Sequence, residues 1–226
     1  MNGKFIVIEG LDGCGKSTQV RLLQRKLEET GVNHRFIHFP MLNQGVYGTL
    51  VAEFLRGEFG SIEEVHPKLA ALLFANDRAE HIGRIRQWIA EGCCVLADRY
   101  VCSNIAFQCA KLTSDDEKKR LKEWILDYEF GRNALPRPDR TLFLDVPFGF
   151  IEKSLSAKRE GDDRSYLNGK EDIHEQSISF QRNVLGMYRK LLQEEGGFER
   201  IDCADSEGNL AAIEEIHRRI CRALRL

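Results

Sequence analysis

Short apolar runs alternate with amphipathic stretches along the chain. Runs of strand character recur at KFIVIE (Lys4–Glu9), RFIHF (Arg35–Phe39), CCVLAD (Cys93–Asp98), TLFLDV (Thr141–Val146) and FERID (Phe198–Asp202). Each has the length and the aliphatic or aromatic content of a buried strand. Between them the spacing is helical. Val20, Leu23 and Leu27 share one face before Gly31, and Ile82, Ile85 and Ile89 do so before Gly92. Val184, Tyr188 and Leu191 repeat the pattern near the other end. Pro67 suits the first position of a long helix reaching Glu91, because the N–H it lacks would be unpaired there. LPRPD (Leu135–Asp139) then interrupts the chain before the fourth strand. Apolar strands alternating with amphipathic helices predict an α/β fold, a five-stranded parallel sheet with helices on both faces.

Length and composition narrow this picture. The 226 residues suffice for one substantial core, so residues 1–226 are expected to form a single domain. Apolar residues make up 42% and charged ones 30%, which excludes long disorder and a disulfide scaffold. Lysine and arginine total 33 against 35 acids, a net charge of -2, so nothing attracts the whole chain to nucleic acid or an anionic membrane. Any phosphate recognition must be local. The seven cysteines (Cys14, Cys93, Cys94, Cys102, Cys109, Cys203 and Cys221) are odd in number and form no C-x-x-C pair, which fits reduced thiols. With no apolar run long enough to span a bilayer and no presequence pattern, a cytoplasmic protein is expected.

The candidate chemistry begins after the first strand. GLDGCGKS fits G-x-x-x-x-G-K-[ST] between a predicted strand and a predicted helix, the context this phosphate loop requires. Gly10, Leu11, Asp12, Gly13, Cys14, Gly15, Lys16, Ser17 and the following Thr18 are therefore the candidate ATP-binding residues. Glycines let backbone N–H groups turn toward the phosphates, and the helix that follows presents its positive end. Lys16 is placed to reach the terminal phosphates and the Ser17 hydroxyl to help hold Mg2+. The third strand ends in Asp98, positioned to orient the magnesium through water, and Arg99 follows at the strand end where open α/β sheets bind ligands.

EGLDGCGKST, HFP (His38–Pro40), LLFANDRAE (Leu72–Glu80), DRYVCSNIAF (Asp98–Phe107) and LPRPD, in this order and at this spacing, resemble thymidylate kinase over nearly the whole chain. The resemblance implies transfer of the γ-phosphoryl of ATP to dTMP with Mg2+. It places Phe39 at the acceptor and stacks Phe74 on the pyrimidine. Arg78, four residues on and on the same helix face, would hydrogen-bond the base. Arginine only donates, so it suits O4 of thymine and opposes the amino group of cytosine. By the same resemblance Arg99 binds the acceptor phosphate, Ser103 and Asn104 line the base pocket, and Asp12 approaches the sugar 3′-hydroxyl. Phe107 stands near the sugar where many bacterial members carry tyrosine.

Two departures shape the expected mechanism. Met41 and Leu42 follow Pro40 where many members carry an arginine or tyrosine that touches the acceptor phosphate, and Gly13 stands where some carry a catalytic arginine. The missing cation is then expected from the polar stretch at 158–170, the family's LID, which reads as a surface loop. Lys158, Arg159 and Arg164 are the candidates there, with Tyr166 as a substrate contact. Asp12, Lys16 and Arg99 complete the expected catalytic set. Family members are usually homodimers, and the long helix from Pro67 could supply the interface. A deoxynucleoside kinase acting on thymidine or deoxycytidine is the alternative. A non-catalytic nucleotide switch is weakened by the absence of N-K-x-D.

Overall fold

A computed structural model describes residues 3–42, 44–156, 167, 172–175 and 177–226. The expected LID residues Lys158, Arg159, Arg164 and Tyr166 lie outside the described residues.

Among the described residues, five parallel strands form one sheet: β1 (Lys4–Glu9), β2 (His34–His38), β3 (Cys94–Asp98), β4 (Arg140–Asp145) and β5 (Phe198–Asp202). Their order across the sheet is β2-β3-β1-β4-β5. The first and last strands coincide with the sequence expectation, β3 starts one residue later, and β2 and β4 are each shifted one residue toward the N-terminus. In the register, Ile8 lies opposite both Asp98 and Leu142, so β1 and β3 end within one residue of each other while β4 runs two residues further, to Asp145. All five residues of β3 are buried, as are the last five of β1 and of β4. Strands covered on both faces need apolar residues at every position, hence their continuous hydrophobic runs.

Two sets of helices supply that cover. On one side α1 (Lys16–Glu29) packs on β1 to β3 and against α8 (Ile213–Leu224), which rests on β5. On the other, α3 (Pro67–Ala90) packs on β3 and α7 (Ile178–Glu194) on β5, with α4 (Val101–Cys109) between them. Outside this layer, α2 (Gly45–Leu55) lies on α3 and α5 (Asp115–Leu126) on α4, while α6 (Phe148–Ser156) meets α7. The long helix begins at Pro67 as expected, and the His66 ring nitrogen Nδ1 accepts the Lys68 N–H at 3.1 Å to cap it. The α2 helix was not foreseen. Its GVYGTLVAEFL sequence contains two glycines and β-branched residues with poor helix propensity. It forms because Glu80 accepts its first N–H groups, from Val46 and Tyr47 at 3.3 Å each, and because its apolar face packs on α3.

One large core lies around the sheet, and a smaller one lies between α2 and α3. Phe74 belongs to the smaller core with Val51, Phe54, Leu55 and Ile173, so α2 fixes the ring from behind. A π-helical turn, Asp127–Arg132, continues α5 and carries a fully buried carboxylate, Glu129, inward. All seven cysteines are free and five are buried, in line with reduced thiols. No described helix is long and apolar enough to cross a membrane.

Candidate active site

The loop between β1 and α1 is shaped by two constraints on its glycines. Gly15 caps α1 at φ 85°, a left-handed conformation that side chains disfavour. Gly10 leaves no room for a Cβ, which would stand 2.6 Å from Cys14 Sγ. Across this bend Lys16 folds back, its Nζ donating to Leu11 O at 2.9 Å and Gly10 O at 3.3 Å. The ammonium is thus held buried at the head of α1, where helix-end N–H groups add positive potential. The Ser154 hydroxyl of α6 donates to Gly13 O at 3.2 Å and ties down the other side of the loop.

Arg99 emerges from the end of β3 with φ 66°, an uncommon left-handed conformation for a residue with a side chain. Its own N–H donates to Ile8 O at 2.9 Å, which locks the turn onto β1. The guanidinium then reaches Asp12 Oδ1 at 2.6 Å and Ser103 Oγ at 3.0 Å, lying over the Phe107 ring at 5.1 Å. Gln181 of α7 donates to the other Asp12 oxygen at 2.8 Å. Burial alone would raise the Asp12 pKa. The Arg99 and Lys16 charges and the Gln181 hydrogen bond outweigh it and hold the carboxyl at about 2. At Arg99 burial lowers the pKa, but Asp12 together with Tyr188, Asp98 and Glu9 outweighs it and raises the pKa, so this pair stays ionised.

Glu9, fully buried at the end of β1, organises the turn from below. Its Oε1 accepts the Tyr100 and Ser103 backbone N–H groups at 2.9 and 3.2 Å, and its Oε2 accepts the Ser103 and Tyr188 hydroxyls at 2.5 and 2.9 Å. The start of α4 is thereby fastened to β1 and α7. Ser103 lines the cavity, and its hydroxyl is a strut between Glu9 and Arg99.

Asp98 lies deeper. Its Oδ2 stands 3.3 Å from His38 Nδ1, while its Oδ1 is buried without a hydrogen-bond partner. Burial favours its neutral form, but the His38 hydrogen bond and the Lys16 charge prevail and lower its pKa. A buried carboxylate oxygen without a donor suits a hydrated cation. No group of three His, Cys, Asp or Glu side chains that could hold a metal unaided exists among the described residues.

At the other end of the cavity, Phe74 and Arg78 sit one helical turn apart on α3. Arg78 forks onto Glu129, Nε to Oε2 at 2.6 Å and Nη2 to Oε1 at 2.7 Å, with both side chains buried. Its remaining nitrogen, Nη1, makes no hydrogen bond among the described residues. Asn104 donates from Nδ2 to Glu129 at 2.8 Å and to Ala71 O at 3.0 Å, leaving its buried Oδ1 without a donor. The pocket therefore offers the Arg78 Nη1 donor and the Asn104 Oδ1 acceptor beside the Phe74 ring. His174, on the short described segment before α7, is nearly parallel to Phe74 with centroids 6.2 Å apart and tilted on Phe107 at 5.2 Å. Burial drives its pKa well down, so the ring is neutral.

Asp12 to Thr18, Phe39, Phe74, Arg78, Asp98, Arg99, Ser103, Asn104 and Phe107 all line one cavity of about 910 Å³. Gly10 and Leu11 do not line it; they serve through the loop's bend and the carbonyls that hold Lys16. Residues far apart in sequence thus converge as the motifs anticipated.

Known proteins share this sequence pattern and fold. A thymidylate kinase family model matches residues 8–216. The chain belongs to the thymidylate kinase family. It is similar to the probable thymidylate kinase of Pyrobaculum aerophilum, 33% identical over 221 residues that cover 96% of this chain and 98% of the relative. Similarity to the thymidylate kinase of Mycobacterium tuberculosis is 32% over 211 residues, covering 92% and 95%. The solved structure of thymidylate kinase from Candida albicans matches with a TM-score of 0.72 at 26% identity, covering 99% of this chain and 92% of that one. In this thymidylate kinase fold, sequence reasoning missed Glu9, Glu129, His174 and Gln181. Only Gln181 carried a readable signal, since it falls on the apolar face of α7 with Val184 and Tyr188, where a polar residue needs a partner.

Proposed function

We propose that this member of the thymidylate kinase family transfers the γ-phosphoryl of ATP to the 5′-phosphate of dTMP, giving ADP and dTDP. The observation that carries the reading is the single cavity. It has the phosphate loop at one end, the Phe74, Arg78 and Asn104 side chains at the other, and the Arg99–Asp12 pair between them. The unused Arg78 Nη1 matches thymine O4 and the unused Asn104 Oδ1 matches the N3–H. Cytosine would oppose an amino donor to Arg78 and an unprotonated N3 to the Asn104 oxygen.

On this reading Lys16 and the amides of the loop grip the ATP phosphates, and Arg99 receives the acceptor phosphate beside them. The two anions are then held in line, so catalysis rests on positioning and charge stabilisation. The Ser17 hydroxyl, and Asp98 through water, would hold Mg2+, which would supply charge neutralisation for the ATP phosphates. Since Gly13 supplies no cation, Arg159 and Arg164, with Lys158, complete the positive charge around the transferring group, and Tyr166 contacts the acceptor. Asp12 takes the sugar 3′-hydroxyl. The chain acts as one kinase domain, and we place it in the cytoplasm as a homodimer.

Purified protein assayed with ATP and dTMP, dUMP, dCMP or thymidine tests the reading. Highest kcat/KM is expected for dTMP, with dCMP lower by at least about a hundredfold because two hydrogen bonds are lost and a donor clash is gained. Preferential turnover of thymidine would instead establish a nucleoside kinase.

A further inference from the structure

The Gln181 amide joins two segments that the transfer reaction has no evident reason to connect. Its Nε2 donates to Asp12 Oδ2 at 2.8 Å and to the His174 carbonyl at 2.9 Å, while the side chain is fully buried. Both partners are acceptors, so the orientation of the amide is fixed by chemistry: the nitrogen must face them. The other half of the group, Oε1, is buried without a donor among the described residues. An apolar side chain would fit this face of α7 without that orphan, so the amide is explained by its donor end.

The position has three consequences. First, Asp12 is held from both sides, Oδ1 by Arg99 and Oδ2 by Gln181, so its carboxylate plane is set before any substrate arrives. Second, the His174 main chain is tied to the phosphate loop across 169 residues of sequence, from Gln181 back to Asp12. Third, α7 is itself anchored one turn-pair further on, where the Tyr188 hydroxyl donates to Glu9. That makes α7 a rigid mount for the amide.

We infer that Gln181 is a positioning residue for acceptor recognition: it orients the Asp12 carboxylate toward the sugar 3′-hydroxyl and holds the His174 segment against the same point. This rests on the reading that Asp12 meets that hydroxyl. Gln181 acts through Asp12 and needs no contact with the phosphoryl group. Its loss should therefore weaken discrimination at the 3′ position more than it weakens transfer to an acceptor that lacks the 3′-hydroxyl.

The experiment compares kcat/KM for dTMP and for 3′-deoxythymidylate in wild type, Gln181→Met and Gln181→Glu. Methionine keeps the length and removes the donor. Glutamate is isosteric and places a second carboxylate against Asp12. Wild type is expected to prefer dTMP by at least about tenfold, the worth of a hydrogen bond to a charged group. Both variants should lose most of that preference while their kcat/KM for 3′-deoxythymidylate stays within about threefold of wild type, since that acceptor cannot use the lost contact. A wild type indifferent to the 3′-hydroxyl removes the Asp12 reading itself. A wild type that discriminates, with either folded variant retaining the full preference, overturns the role of Gln181 alone. Should Gln181→Met fail to give a cooperative thermal transition, Gln181→Glu, with no change in volume, decides the matter. If both fail to fold, the residue serves stability and the inference is refuted.

Discussion

Removing Glu129 should separate what holds the base pocket together from what reads the base. The Arg78–Glu129 fork is formed by contacts of 2.6 and 2.7 Å, and neither side chain is more than 2% exposed. In Glu129→Ala the guanidinium stays buried without its carboxylate, a situation that costs about 3–5 kcal/mol. Asn104 loses one acceptor as well but keeps Ala71 O, so its added cost is small. For a chain of this size each kcal/mol lowers Tm by roughly 2–4 °C, so a fall on the order of 10 °C is expected. Urea unfolding gives the same quantity independently of temperature. In the double variant Arg78→Met, Glu129→Leu both charges are gone, and stability should return to within about 1–2 kcal/mol of wild type, because a buried pair is often replaced by apolar residues at little cost. Discrimination should not return with it. The preference for dTMP over dCMP in kcat/KM should fall by at least about tenfold in the double variant, since the donor facing O4 is absent. A Glu129→Ala protein destabilised by less than about 1 kcal/mol would refute the claim that this pair is closed off from water. A stable double variant that still rejects dCMP fully would refute Arg78 as the reader of the base.

Asp12 should contribute stability that depends on pH. Its folded pKa of about 2 lies below the usual carboxylate value near 4, so the stabilisation is complete above that usual value and is lost as pH falls toward about 2; denaturant curves of wild type and Asp12→Asn should therefore converge over this window, and a gap that is constant down to the acid limit contradicts the assignment. Gly10→Ala should raise the KM for ATP because the new methyl meets Cys14 Sγ at 2.6 Å, and adding Cys14→Ala should restore it, since the next neighbour is Leu144 O at 3.5 Å. No restoration would mean that the backbone, and not the thiol, is the obstacle. Arg159→Ala and Arg164→Ala, assayed separately, should include at least one enzyme with kcat lowered about tenfold or more; two unaffected enzymes would locate the missing cation elsewhere.

The central strands β1, β3 and β4 were legible because they are buried on both faces and so read as unbroken apolar runs, whereas the edge strands β2 and β5 are partly exposed and mix apolar with polar residues. The limits of β1 and β5 could be read to the residue. Those of β2 could not, since Phe39 continues its ladder only as far as one hydrogen bond to Asp98 O, at 3.0 Å. The α2 helix was hidden for a different reason: its own residues favour it weakly, and its stability comes from Glu80 and from the face of α3. At the site, the motif residues that line the cavity stand in contiguous stretches and could be found. The residues that hold them are dispersed. Glu129 serves Arg78 from 51 residues away and Glu9 serves Ser103 from 94. Nothing in local spacing reports such pairs, and for Glu129 the π-helical turn adds a register shift that no periodicity argument would supply.

The two ends of the cavity rest largely on different elements, joined at α4, where Ser103 braces Arg99 and Asn104 serves the base end, and through Gln181. Arg99, Asp12 and Lys16 are fastened to β1, β3 and α7, whereas Phe74, Arg78 and Asn104 rest on α2, α3 and the Glu129 turn. The phosphate end therefore works as a fixed ruler and the base end as an interchangeable reading head. Re-engineering of the reading head toward another pyrimidine could leave the spacing between donor and acceptor phosphates untouched. Drift in this lineage would for the same reason change which base is accepted more readily than how the phosphoryl group moves.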